Sequence, residues 1–500
     1  LKKTLTYAIL SGLLLGSLWP SAASGADSAT KNGFIADYDG HSLIKTDGTY
    51  WVWGGFQKQT VPTQIQGLTD VEKSFDGQYV RKTDGSLWRW EENKKTTTGY
   101  DLHKVEEISK PIDVLAFSNE YALILDEEGR VYRGSRLEED PSRYHYAPLE
   151  GIGGVAELTY YYKYPTGMII VFLKKDGSVW RSDISLTSIL PSAEIRDAVH
   201  IQQEVVLLKD GSVREWSVEY DPDYSQESWK TETAKRVEGL PALKSVSSNG
   251  KANLGIDSEL RLWFWGATVT GFSDGTARHE QSAPVLLTNA KNVKTAYALD
   301  RSISVLTQEG KVYEASIEWT TMPKDAKFTL LAANAVGLSH SILQKNDGTL
   351  WVWGHNKYGN FGTGDDKEFT TDIPLPMQAP IEVELNGESI PLKNGVITRN
   401  SQAFVPLRSI FEKLGAKISW DGTNKIATLE RPATERNPSV TVRLNFKAGT
   451  TALNGSEVKL QNELFSSAGS SYLPLRFISE SLGAKVDWQQ KEGKIQIAMS

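Results

Sequence analysis

The chain has no cysteine among its 500 residues. That excludes disulfides, thiolate metal sites, a cysteine nucleophile and lipid attachment through an N-terminal cysteine. Histidine is scarce too. It occurs at seven positions, His41, His103, His145, His200, His279, His340 and His355, and no two stand at the i,i+4 spacing of a helical metal site. Beyond residues 5–18 no uncharged apolar run approaches the roughly 20 residues a membrane-spanning helix needs. An excess of basic charge is also absent. The formal net charge is −7, and residues 381–500 carry 15 Lys and Arg against 12 Asp and Glu, so everything before them is acidic. Neutralising a phosphate backbone needs the opposite balance, so nucleic acid is not expected as a partner.

What is present begins with order at the N-terminus. Lys2 and Lys3 precede the uncharged stretch from Leu5 to Leu18, and the small residues Ser21, Ala22, Ala23, Ser24, Gly25 and Ala26 follow. This is the sequence of a secretory signal peptide. Residues 1–26 are expected to be removed after Ala26, giving a soluble protein that is secreted or held at the bacterial cell wall. A leading Leu in place of Met reads as an alternative start codon.

One phrase then recurs: a β-rich run, an Asp-Gly or Glu-Gly turn, and a second run ending in an aromatic. Its eight copies start at His41, Tyr79, Ala122, Val171, Val205, Leu254, Ser304 and Ser339. Asp-Gly supplies the positive φ of a tight hairpin turn, and the flanks alternate apolar with polar residues. Short strands separated by Gly or Pro turns fill the gaps between copies. Four strands per unit, at a spacing of roughly 35 to 50 residues, is the pattern of a propeller blade.

The copy running from Ser339 through Asp347-Gly348 and Trp353-Gly354-His355-Asn356 to Gly362-Thr363-Gly364 resembles the repeat of the regulator-of-chromosome-condensation family. The first copy keeps most of that pattern. Middle copies have drifted: Arg133-Gly-Ser and Arg181-Ser-Asp replace Trp-Gly, and the sixth copy lacks its turn glycine. The resemblance implies a β-propeller over residues 33–376, with seven blades by family habit and eight by the count of hairpins.

A proline-rich linker at residues 377–380 ends the repeat, and a second duplication follows at an offset of 68 residues. Leu385-Asn-Gly387 matches Leu453-Asn-Gly455, Phe404-Val-Pro-Leu-Arg408 matches Tyr472-Leu-Pro-Leu-Arg476, and Leu414-Gly-Ala-Lys417 matches Leu482-Gly-Ala-Lys485. Each half, 381–431 and 441–500, reads as an Asn-Gly hairpin, a helix opened by Pro406 or Pro474 and stopped by Gly415 or Gly483, and a closing strand pair. Leu407, Ile410, Phe411 and Leu414 provide the buried face of the first helix. Residues 381–500 resemble the N-terminal stalk domain of copper amine oxidases, which implies a small α+β fold outside those enzymes' catalytic part. With neither His nor Cys between 381 and 500, no copper is expected there. The predicted fold class is therefore mainly β, a seven- or eight-bladed β-propeller followed by a smaller α+β domain of two similar halves.

No catalytic, cofactor or metal constellation emerges. Asp37-Tyr-Asp39-Gly40 and Asp221-Pro-Asp223 lack the remaining ligands of a calcium loop. Ser42-Leu-Ile-Lys45 and Ser456-Glu-Val-Lys459 fall on strands, where residues three apart face opposite sides. The Trp-x-Trp pairs at 51/53, 88/90, 263/265 and 351/353 are read as packing between blades, and His41 and His340 as structural. Partner-binding candidates are the irregular aromatics Tyr160, Tyr161, Tyr162 and Tyr164. Arg408 and Arg476 join them as anion clamps, against the plainer reading of i,i+4 pairs with Glu412 and Glu480.

The function expected is binding: a secreted scaffold presenting propeller loops to an extracellular protein or wall polysaccharide. A wall-polysaccharide hydrolase or lyase with a site in the central channel, or a secreted enzyme inhibitor, is the alternative. Chromatin binding or nucleotide exchange conflicts with the leader and the acidic propeller.

Overall fold

Every Asp-Gly phrase folds as the hairpin between the second and third strands of a four-stranded antiparallel sheet, and eight such sheets follow one another in sequence order. The computed structural model describes residues 35–55, 59–93, 96, 99–117, 121–137, 143–163, 167–220, 229–272, 275–433 and 438–499. The leader, residues 1–26, and Tyr164 lie outside that description. The sheets, residues 35–64, 71–109, 111–148, 155–191, 198–236, 243–286, 293–332 and 335–376, are taken as blades 1 to 8.

From blade 2 to blade 7 the first strands of neighbouring blades contact one another around an axis, and apolar clusters fill the gaps between blades. The ring closes where Ile35, Leu43, Trp51 and Trp53 of blade 1 pack with Ile342, Leu350, Val352 and Phe361 of blade 8. The family-habit count of seven gives way to eight, because each hairpin phrase owns a complete sheet. The second tryptophan of each Trp-x-Trp pair, Trp53, Trp90, Trp265 or Trp353, is at most 1% exposed, so these pairs are packing and not a binding stripe.

In the C-terminal part the two halves interlock. The strand Glu382–Leu385 of the first half pairs in parallel with Lys494–Met499 of the second. Gln402–Pro406 pairs with Ser470–Pro474, and Ile426–Arg431 with Val440–Asn445. One core joins residues from both halves, including Val405, Phe411, Leu429, Leu473, Ile478 and Ile495. The first helix differs from its expectation. Pro406 is the N-cap residue, ending a strand with φ −60° and ψ 135°, and the regular α-helix spans only Leu407–Ile410. The chain continues in turns that still bury Phe411 and Leu414 until Gly415 adopts φ +78°.

The proline-rich segment is not a free tether. Gln378 Oε1 accepts the Thr398 N–H at 2.9 Å, and Met377 is buried. The outermost strand of blade 1, Gln59–Gln64, is buried along almost its whole length, unlike the exposed outer strands of blades 6 and 8. The C-terminal part covers it. The Thr60 N–H donates to Asn394 Oδ1 at 3.0 Å, Asn394 Nδ2 donates to Thr60 Oγ1 at 3.0 Å, and the Gly395 N–H donates to Thr63 Oγ1 at 2.8 Å. Val61 packs with Ile397, Phe404 and Tyr472 in the same junction.

Candidate partner-binding face and axial channel

In a blade of four antiparallel strands, the first-to-second and third-to-fourth connections lie at one end and the others at the opposite end. The propeller therefore has two unlike faces. One carries the Asp-Gly turns, and these are tied down by side chains. Thr49 Oγ1 donates to Asp47 at 2.6 Å and accepts the Trp51 indole N–H at 2.9 Å. The same chain runs from Asp84 through Ser86 to Trp88, from Asp176 through Ser178 to Trp180, and from Asp347 through Thr349 to Trp351. These hydroxyl donors hold the carboxyls of Asp84, Asp176 and Asp347 below the ordinary range.

The other face carries the irregular connections and the exposed aromatics. Phe272 is 73% exposed, Tyr162 and Tyr358 are each 67% exposed, and Trp319 is 43% exposed. Phe272, Trp319 and Tyr358 stand in or beside third-to-fourth strand connections of blades 6, 7 and 8, and Tyr162 near the end of a first strand. Between blades 6 and 7 Phe272 is braced from behind. The Arg301 guanidinium stacks 4.6 Å from the Phe272 ring, donates to Gly271 O at 2.8 Å and pairs with Glu318, next to Trp319. Large apolar rings held in water by rigid neighbours suit contact with a protein or a sugar ring.

Strand alternation divides the tyrosine candidates. Tyr161 is 1% exposed and meets Trp216 edge-on at 6.3 Å, which removes it from any contact surface. Tyr160 packs on Phe117 with ring centroids 5.5 Å apart, and Tyr162 points outward. Arg476 lies 3.8 Å from Glu480 with both side chains more than half exposed, the weak i,i+4 pair of the plainer reading. Arg408 is placed by its backbone alone, within Leu407–Ile410. Phe272 and Trp319 escaped sequence reading because each lies outside the repeated phrase, and Tyr358 because it stands inside the family-like copy, where it read as part of the repeat.

The channel shows a second arrangement. In each blade the first strand carries a bulge, and the residue just beyond it takes an equivalent place around the axis: Asp37, Lys73, Asp113, Glu157, His200, Ser245, Thr295 and Gly337. Charge is thus confined to blades 1 to 5. Burial pushes the Asp113 carboxyl up to about 6 against the pull of Lys73, whose ammonium also donates to Ile112 O at 2.7 Å. His200 Nδ1 lies 3.0 Å from Glu157 Oε2. Burial pulls that imidazole down, but the hydrogen bond and charge of Glu157 outweigh it, leaving its pKa above the ordinary value.

Comparison with known proteins bears first on the C-terminal part. Residues 384–497 match the copper amine oxidase N-terminal domain. This amine-oxidase-type domain has no His or Cys to hold copper. Its paired carboxylates Glu382 and Glu384 are already occupied by Lys494, at 3.4 and 2.7 Å. The stretch thus carries the fold without a copper-binding set. No curated protein matches the chain. Solved structures similar to it include Prp20p from Saccharomyces cerevisiae, described with its binding to Gsp1p and histones, at 13% identity over 69% of this chain and 90% of that one with a TM-score of 0.38. Human WBSCR16 is 14% identical over 64% of this chain and 85% of its own, with a TM-score of 0.35. The assignment of a propeller rests on the eight sheets themselves.

Proposed function

We propose that this is an exported binding scaffold that receives a protein or polysaccharide partner on the face carrying Tyr162, Phe272, Trp319 and Tyr358. The observation behind it is the contrast between faces: one carries closed, self-bonded Asp-Gly turns, and the other presents large exposed rings, of which Phe272 is braced by Arg301. The amine-oxidase-type domain, docked on blade 1, acts as a fixed second module. Incubating the full chain with peptidoglycan, common polysaccharides and extracellular proteins, while measuring retention and new reducing ends, tests the reading. Retention without product release, lost when the four aromatics are replaced by Ala, is the expected result. Unchanged retention by that variant overturns the assigned face.

Export is part of the same proposal, supported by the ordered leader. Sequencing the N-terminus of protein recovered from the medium should give Asp27 as first residue.

A hydrolase or lyase is the second reading, favoured by one observation: Asp113, with its pKa near 6, occupies the channel position next to that of Glu157. Release of reducing ends that Asp113→Asn abolishes would establish it.

A further inference from the structure

In blade 2 the third strand, Ser86–Glu92, pairs with the fourth, Tyr100–Ser109, so that Arg89 faces His103 and Glu91 faces Asp101. Alternation along both strands puts these four side chains on one side of the sheet. One ligand atom from each of Glu91, Asp101 and His103 lies within 4.8 Å of the other two. The carboxylates are held from behind. Arg89 Nη1 donates to Glu91 Oε2 at 2.9 Å, and Asn93 Nδ2 donates to Asp101 Oδ2 at 2.7 Å. Arg89 is itself fixed, only 4% exposed and stacked 4.2 Å from the Tyr144 ring.

A separate observation concerns the imidazole. His103 Nε2 is shut off from solvent and has no hydrogen-bond partner, although it lies 3.5 Å from Glu91 Oε1. Buried polar atoms are almost always partnered. A nitrogen of this kind, directed at two carboxylates whose other oxygens are already engaged, has the setting of a ligand whose partner is a cation. Outer hydrogen bonds like those from Arg89 and Asn93 are what orient metal-binding carboxylates.

The geometry points to a divalent-cation site formed by Glu91 Oε1, a carboxylate oxygen of Asp101 and His103 Nε2. Two hard oxygens and one imidazole nitrogen suit Zn2+ or Mn2+. Bonds of about 2.0–2.2 Å require the three atoms to draw closer by side-chain rotation, which the partial exposure of Glu91 and His103 permits. Three protein ligands leave coordination positions for water or for an oxygen of a bound partner. The ion would clasp the two strands at the base of the loop spanning 93–99, on the face that carries the irregular connections. The sequence conceals this set because its members meet across a strand pair and share no local motif.

Calorimetric titration of the full chain with Zn2+ and, separately, Mn2+ tests the site in the unaltered protein, His103→Gln, Asp101→Asn and the control His145→Gln. The expected result is one equivalent of either metal bound by the unaltered chain and the control, with affinity at least tenfold weaker in the other two. Metal should also raise the unfolding temperature of the first pair and not of the second. Circular dichroism of the metal-free variants establishes that they fold, and the visible absorption of added Co2+ reports imidazole ligation. Absence of stoichiometric binding up to millimolar metal shows a plain His103–Glu91 ion pair and overturns the site. Equal affinity in His103→Gln overturns it as well.

Discussion

The backbone carbonyl of Gly48 accepts the N–H of Val71 at 2.9 Å, joining the hairpin turn of blade 1 to the first strand of blade 2. The residue between, Asp70, has φ +59° and accepts the Thr83 N–H at 2.8 Å, so the link passes on to the turn of blade 2. The same pairing recurs from Gly85 to Lys110, Gly129 to Val155, Gly177 to Ala198, Gly211 to Leu243 and Gly310 to Ala335. The repeated Asp-Gly phrase is therefore the joint between blades as well as a turn. In blade 6, where the glycine is missing, Leu260 takes φ +59° itself and its carbonyl still accepts the Val293 N–H at 2.9 Å.

Gly177→Ala should cost about 2 kcal/mol or more, because a Cβ there would stand 2.9 Å from Asp197 Cα on top of the strain of φ +81°. Gly387→Ala, at φ +84° with nothing within 4 Å, should cost only about 1 kcal/mol of strain. Denaturant unfolding of both variants measures the difference. Equal losses would show that the joint does not depend on close approach.

Asn394→Ala should destabilise the junction by about 2–3 kcal/mol, since it leaves the Thr60 N–H buried without its acceptor and removes a second bond to Thr60 Oγ1. The unaltered chain should unfold in one calorimetric transition and the variant in two, with the amine-oxidase-type domain melting first. Two transitions in the unaltered chain would refute the coupling.

Asp113 has a folded pKa of about 6, raised from 3.8. Between those values the folded state binds more protons than the unfolded one, so this residue makes stability fall as pH rises from about 4 to about 6. Asp113→Asn should remove that slope and raise stability at pH 7.5 by about 1–2 kcal/mol, with little effect at pH 4. Urea titrations at the two pH values measure it, and a loss of stability at pH 7.5 would contradict the assignment.

His200 gives a dependence of the same sign in a higher pH window. Its folded pKa is raised, so the Glu157 contact contributes stability below the unfolded pKa and loses it as pH rises through the folded one. Glu157→Gln should lower the His200 pKa, followed by NMR of the ring protons. An unchanged titration would separate the two groups.

The strand-rich repeat, the hairpin at each Asp-Gly and the buried face Leu407, Ile410, Phe411 and Leu414 were legible in the sequence, since each depends on neighbours a few residues apart. So was the 68-residue duplication, though not the interlocking of its halves. Tyr161 was misplaced among the surface tyrosines: a run of identical residues on a strand alternates between core and water, and only the register with Ile169 decides which member turns inward.

By itself the sequence determined the strands and turns, because φ preferences and apolar alternation are local properties of the chain. The tertiary structure alone decided that eight blades close the ring, that one outer strand is sealed under the amine-oxidase-type domain, and that Glu91, Asp101 and His103 meet. The first two are contacts between residues remote in sequence, and the third depends on the register of one strand pair, which sets Glu91 opposite Asp101; no local preference encodes either.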